Sequence, residues 1–202
     1  RPRARAGGPR EAPLGVNGGR PLADGPVPCP NCRALVPDVE GPTHTYIGGN
    51  AGCWAAWGEL QARTYADPGL AAVMPLAVDA YAAQHHGVEG RRQAQSVWAH
   101  LVSICAILER GRSSVDGIRL KQDLLRDDPV FAWLAPPRDP GTVTVLDVAA
   151  TAGVAIPAGE AIPAGEAIPA AVLRWAASVW AAWSSHHDAI RDRTNEVASR
   201  RG

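Results

Sequence analysis

The stretch Arg91-Arg92-Gln93-Ala94-Gln95-Ser96-Val97-Trp98-Ala99-His100-Leu101-Val102-Ser103-Ile104-Cys105-Ala106-Ile107-Leu108-Glu109-Arg110-Gly111 decides the fold class. Val97, Leu101, Ile104, Cys105 and Leu108 recur at steps of three and four, so they share one face of a helix running from about Arg91 to Arg110. Gly111 follows where a helix commonly ends in left-handed backbone. A face this apolar must be covered by other helices, and the flanking sequence supplies them.

On the N-terminal side, Trp54, Trp57, Leu60 and Gln61 keep helical spacing within Cys53 to Tyr65. Asp67-Pro68 then reads as an N-cap followed by proline in the first turn, opening a second helix with Leu70, Val73, Ala77, Val78 and Tyr81 on one face. Pro75 is expected to kink it, and Gly87 to close it after His85-His86.

On the C-terminal side, Ile118 to Leu125 reads as a short helix, and Pro136 to Gly141 as a loop. Thr144 with Asp147 three residues later has the pattern of a capping box and favours a short helix over Thr142 to Thr151. A final long helix is expected after Pro169, with Leu173, Ala176, Trp180, Trp183, His187 and Ile190 on one seam. The expectation is therefore a mainly α protein, a bundle of about four main helices with an N-terminal cysteine-containing, metal-pinned loop.

Two segments fall outside that bundle. Residues 1–27 are rich in Gly, Pro and Arg with little to bury, and read as a disordered basic tail. Residues 28–202 then form a single helical domain, with the metal-binding loop at 28–52. Residues 154–169 carry a hexapeptide repeat, Ala-Ile-Pro-Ala-Gly-Glu, in too few copies to stack into a solenoid. They read as a lengthened loop, which costs little closure entropy.

Charge narrows the function. Twenty basic and twenty acidic side chains give a formal net charge of zero, with no basic stripe, so general nucleic-acid binding is not expected. The longest apolar run, Trp98 to Leu108, is shorter than the roughly 20 residues a bilayer requires, so no membrane span is expected. Arg1 to Gly8 has no apolar signal segment, and a cytoplasmic location is the expectation. There, clustered cysteines point to metal or redox chemistry before disulfides.

Of the four cysteines, Cys29, Cys32 and Cys53 join with His44 in the pattern CxxC-x11-H-x8-C. A CxxC turn lets two thiolates reach one tetrahedral ion, and two further N/S donors close a zinc shell. His85 competes with His44 for the fourth place. Cys53 falls at a helix N-terminus, where the macrodipole favours thiolate. The alternative for Cys29 and Cys32, a redox dithiol, lacks the helix that should follow its second cysteine, since Pro37 comes too soon. Cys105 reads as an ordinary core thiol.

A second set consists of Asp79 and His85 on the second helix, His100 on the third and His187 on the last. Together they are candidates for an interior catalytic or metal site between helices, although each histidine alone reads as a satisfied core residue. The seven tryptophans are read as core packing for an alanine-rich chain.

The strings Cys29-Pro30-Asn31-Cys32, Gly41 to Tyr46, Gly52-Cys53-Trp54, Val78 to His85 and Ser96 to Leu101 resemble an uncharacterised bacterial family, domain of unknown function 5946. The likeness is close from Val27 to Gly111 and looser from Trp175 to Arg191. It groups Cys29, Cys32, His44, Cys53, Asp79, His85 and His100 and implies no activity. This chain departs from the family pattern at His86 and in its repeat insert.

Three readings follow. The leading one is a cytosolic helical protein with a structural zinc. The second is a metal-dependent bundle enzyme, a hydrolase or thiol-dependent transferase, built on Asp79, His85, His100 and His187. The third is a zinc-stapled adaptor or regulator with a protein partner, which would show an exposed apolar patch.

Overall fold

A computed structural model describes residues 21–67, 70–153 and 168–200. In chain order they form an antiparallel hairpin, β1 (Pro21–Pro28) and β2 (Leu35–Val39), followed by helices α1 (Ala51–Ala66), α2 (Met74–Gln84), α3 (Arg91–Arg110), α4 (Ser114–Leu125), α5 (Val145–Thr151), α6 (Ile168–Ala182) and α7 (His187–Ser199). The protein is mainly α, as the apolar periodicity requires. The tail read at 1–27 overlaps β1 from residue 21, and its first 20 residues lie outside the described residues. The repeat loop read at 154–169 also lies outside them, apart from Ile168 and Pro169, which open α6.

α3 is the central helix. Val97, Leu101, Val102, Ile104 and Cys105 on it are wholly buried, and it packs against α2, α4, α6 and α7. At its end Gly111 takes φ 61°, and the Arg112 N–H donates to the Ala106 carbonyl. α1 packs on β2 and α5, and so joins the hairpin to the helices.

The hairpin has no counterpart in the sequence reading, which treats this region as loop. Its pairs include Pro26 with Pro37 and Pro28 with Leu35. Proline cannot donate to a ladder, so three of these positions contribute no N–H and the strand pattern is weak in sequence. What anchors the hairpin is Val36, wholly buried, together with the Cys29 and Cys32 turn beneath it.

Two helix boundaries differ from expectation. α2 starts at Met74, placing Pro75 in its first turn, where a missing N–H costs nothing; Pro75 begins the helix and does not kink it. The expected final helix is broken into α6 and α7 by a 3-10 turn at Ser184–His186. At the break, the Trp183 N–H is shared between the Val179 and Trp180 carbonyls, and His187 donates from Nε2 to the Trp180 carbonyl at 2.8 Å. On α6 the buried face is Val172, Trp175, Ala176 and Val179, and Leu173 of the expected seam is exposed.

Buried polar groups stitch the elements together. Gln84, 2% exposed, donates to the Pro140 and Val143 carbonyls and accepts from Trp175 Nε1 at 3.0 Å. Such a fully satisfied amide offsets its desolvation and orients the 140–143 loop against α2 and α6. Among the described residues, no helix is long and apolar enough to cross a membrane.

Candidate metal centre

The CxxC turn is shaped by its own backbone. Cys29 N–H donates to the Ala34 carbonyl at 2.8 Å, and Arg33 N–H to the Cys29 carbonyl at 3.0 Å. Closing the turn puts Arg33 at φ 63°, a left-handed conformation uncommon outside glycine. The result is that Cys29 and Cys32 face the same way, inward, at 1% and 2% exposure.

Cys53 arrives from α1. Asn50 caps that helix, its Oδ1 accepting from the Cys53 N–H at 3.0 Å, so Cys53 sits in the first turn with its sulfur at the positive end of the helix. His85 arrives from the opposite kind of position, the C-cap of α2, and is wholly buried. Its Nδ1 lies 2.7 Å from the Tyr81 carbonyl, which accepts the proton there, so Nε2 is the atom that would meet a metal once its own proton leaves. Nε2 lies 3.2 Å from Cys53 Sγ, and Cys32 Sγ lies 3.8 Å from Cys53 Sγ.

The ligand atoms of Cys29, Cys32, Cys53 and His85 all lie within 4.8 Å of one another. This Cys3His set can hold a metal ion. His44, the first choice from spacing, lies outside it: its Nδ1 accepts from the Tyr46 N–H, and its ring packs against Tyr46 and Trp54. In the set that the fold brings together, the fourth donor is His85, the alternative. The physical reason is that α2 folds back to the hairpin, which residue spacing cannot convey.

Three thiols this close cannot all ionise without a cation. Hydrogen bonds with Cys32 and then Cys53 push the Cys29 thiol far below its usual range, while Cys29 and Cys32 push Cys53 well above it. Burial opposes charge on His85, but the contacts with Cys29 and Cys32 outweigh it and raise its pKa to about 9. In the metal-free cluster, then, the charge on Cys29 is met by protonated His85, and a metal cation would take the place of that proton. Tyr81 closes one side: burial and then the charge of Cys53 hold its phenol above the usual range, so it stays a donor, with OH 3.7 Å from Cys53 Sγ. Its ring stacks on His85 at 4.0 Å and on Trp57 at 4.7 Å.

A family model matches residues 27–184, a span that holds Cys29, Cys32, Cys53 and His85. The chain belongs to the family of unknown function DUF5946. Neither the curated proteins nor the solved structures contain a match to it. For this DUF5946 protein, site geometry is therefore the ground for any functional reading.

The second set read from the sequence separates into three places in the DUF5946 fold. His85 belongs to the cysteine cluster. Asp79, wholly buried, accepts from His100 Nδ1 at 2.7 Å and from Ser103 Oγ at 2.6 Å, and pairs with Lys121, joining α2, α3 and α4. His187 lies apart from both, half-buried, its ring stacked on Trp180 at 3.8 Å. No hydrogen bond or ring contact joins these three groups among the described residues. Ser103 and Lys121 were not singled out in the sequence, although Lys121 is its only lysine and so carried a signal. Cys105 is buried as expected.

Proposed function

We propose that this chain is a cytoplasmic zinc-binding helical protein whose metal is structural, fastening the N-terminal hairpin to the helical body. The observation that carries the reading is the convergence of four buried N/S donors from three separated segments: the hairpin turn, the start of α1 and the end of α2. Zinc prefers this donor set and a tetrahedron with Zn–S near 2.3 Å, whose S–S edge is about 3.8 Å. The Cys32 to Cys53 distance of 3.8 Å fits that edge. Cysteine, cysteine, cysteine and histidine fill four positions and leave none for water, the pattern of structural sites. Thiolate ligands kept reduced accord with a cytoplasmic setting.

Metal analysis of the purified protein tests this directly. One zinc per chain is expected, with its loss in Cys29→Ser and Cys53→Ser. A protein without stoichiometric zinc, or variants that keep it, would refute the reading.

A protein partner is the second reading, favoured by Tyr46 and Val88. Both are exposed, 37% and 75%, and both line the cleft above the CxxC turn. Substituting both with Ser leaves metal content unchanged in this reading and abolishes co-purification of the partner.

A further inference from the structure

We propose that Asn31, between the ligands Cys29 and Cys32, is the latch that governs metal release, an inference that rests on the zinc reading above. The four ligands fall into two halves: Cys29 and Cys32 on the hairpin, Cys53 and His85 on helix ends. All four are at most 2% exposed, so an ion leaves only when the halves part. Asn31 ties them. Its Nδ2 donates to the Gly48 carbonyl at 2.6 Å, and its Oδ1 accepts from the Gly87 N–H at 3.3 Å. Gly48 in turn donates from its N–H to the His85 carbonyl at 3.0 Å. One side chain thereby grips both the loop leading into Cys53 and the turn leaving His85.

The surroundings are built for this grip. A Cβ at Gly48 would lie 2.6 Å from Asn31 Nδ2 and 2.7 Å from Gly87 Cα, so only glycine lets the three segments meet. Gly87 takes φ 69°, which turns its N–H toward Asn31. On the outer side of the joint lies a cleft of about 370 Å³ lined by Pro30, Asn31, His44, Gly48, Gly87 and Gln93. Water and chelators reach the latch there, whereas His85 itself is covered by the Tyr81 ring, which stacks in turn on Trp57. Asn31 is a positioning residue: it touches no metal.

The test compares zinc release to excess chelator from the wild type, Asn31→Ala and Asn31→Asp. Loss of two hydrogen bonds of ordinary strength predicts release about tenfold faster or more in Asn31→Ala. Asn31→Asp keeps the acceptor for Gly87 but sets a carboxylate oxygen against the Gly48 carbonyl, so it is expected to release at least as fast as Asn31→Ala, and it carries the test if the alanine variant does not fold. Asp79→Asn weakens the helical body away from this joint and serves as the control. It is expected to unfold at lower denaturant while releasing zinc at the wild-type rate. Equal release from wild type and both Asn31 variants overturns the latch alone. So does release in Asp79→Asn as fast as in Asn31→Ala, since release would then track global unfolding. Wild-type protein that takes up no zinc overturns the zinc reading itself.

Discussion

The Nδ1 atom of His85 lies 2.7 Å from the carbonyl oxygen of Tyr81, one turn earlier on α2. That hydrogen bond keeps a proton on Nδ1 and aims Nε2 at Cys53 Sγ, 3.2 Å away. A histidine so oriented need not turn its ring to meet a metal ion.

It follows that the two candidate histidines differ sharply under substitution. His85→Ala is expected to weaken zinc affinity at least about a hundredfold, while His44→Ala leaves both stoichiometry and affinity near wild type. Competition with a chromophoric chelator measures both. Equal losses in the two variants would return His44 to the shell.

Removing the metal should loosen the hairpin before the bundle. Saturating a site at one hundred times its dissociation constant contributes about 2.7 kcal/mol. For a chain of this length that corresponds to roughly 5–10 °C in Tm. Thermal scans with and without a chelator are expected to show this drop, with zinc restoring it. Identical curves would mean that the cluster contributes no metal-linked stability. Because thiols must lose their protons to bind, the stabilisation is also expected to shrink as pH falls.

Asp79 predicts a different kind of loss. Its carboxylate is wholly buried and satisfied by His100, Ser103 and Lys121. Asp79→Asn leaves Lys121, only 16% exposed at its side chain, facing no charge. The expected cost is about 3 kcal/mol, the lower range for breaking a buried pair. Replacing both, Asp79→Asn with Lys121→Met, should cost less than the two single changes added together. Urea unfolding of the four proteins decides it, and strict additivity would show that the pair is not coupled.

Glu109 supplies the pH dependence away from the metal. Arg191 donates to both of its carboxylate oxygens, at 2.8 and 2.7 Å, and Trp180 Nε1 donates at 3.1 Å, linking α3, α6 and α7. The Arg191 hydrogen bonds lead in lowering the Glu109 pKa from 4.5 to about 2. A depressed carboxylate contributes stability that is complete above its unfolded pKa and is lost as pH falls from about 4.5 toward 2. Glu109→Gln is therefore expected to be less stable than wild type at pH 7, by about 1 kcal/mol for this partly exposed pair, and nearly equal to it near pH 2. A constant gap across that window would contradict the assignment.

Much of the helical content was legible before any coordinates. α3 follows the expected bounds, Gly111 ends it in left-handed backbone, and Asp147 accepts from the N–H and hydroxyl of Thr144 at the start of α5. These signals are local, since helix periodicity and caps involve residues three or four apart. The start of α4 was legible too, in Ser113 and Asp116, which cap each other reciprocally, yet the expected helix began only at Ile118. The hairpin was hidden because Pro26, Pro28 and Pro37 erase the usual strand pattern.

For the site, chain spacing brought Cys29, Cys32 and Cys53 together and left the fourth ligand open between His44 and His85. Local chemistry determines that CxxC makes a turn and that Asn50 caps the helix carrying Cys53. Only tertiary structure brings His85 to the three cysteines, because the return of α2 to the hairpin depends on long-range packing of α1, α2 and β2. The same packing sent Asp79 and His100 to Lys121 and left His187 on Trp180, so four residues that share helical faces in sequence became three separate groups. Periodicity tells which side of a helix is buried; which neighbours meet there is set by how whole helices cross.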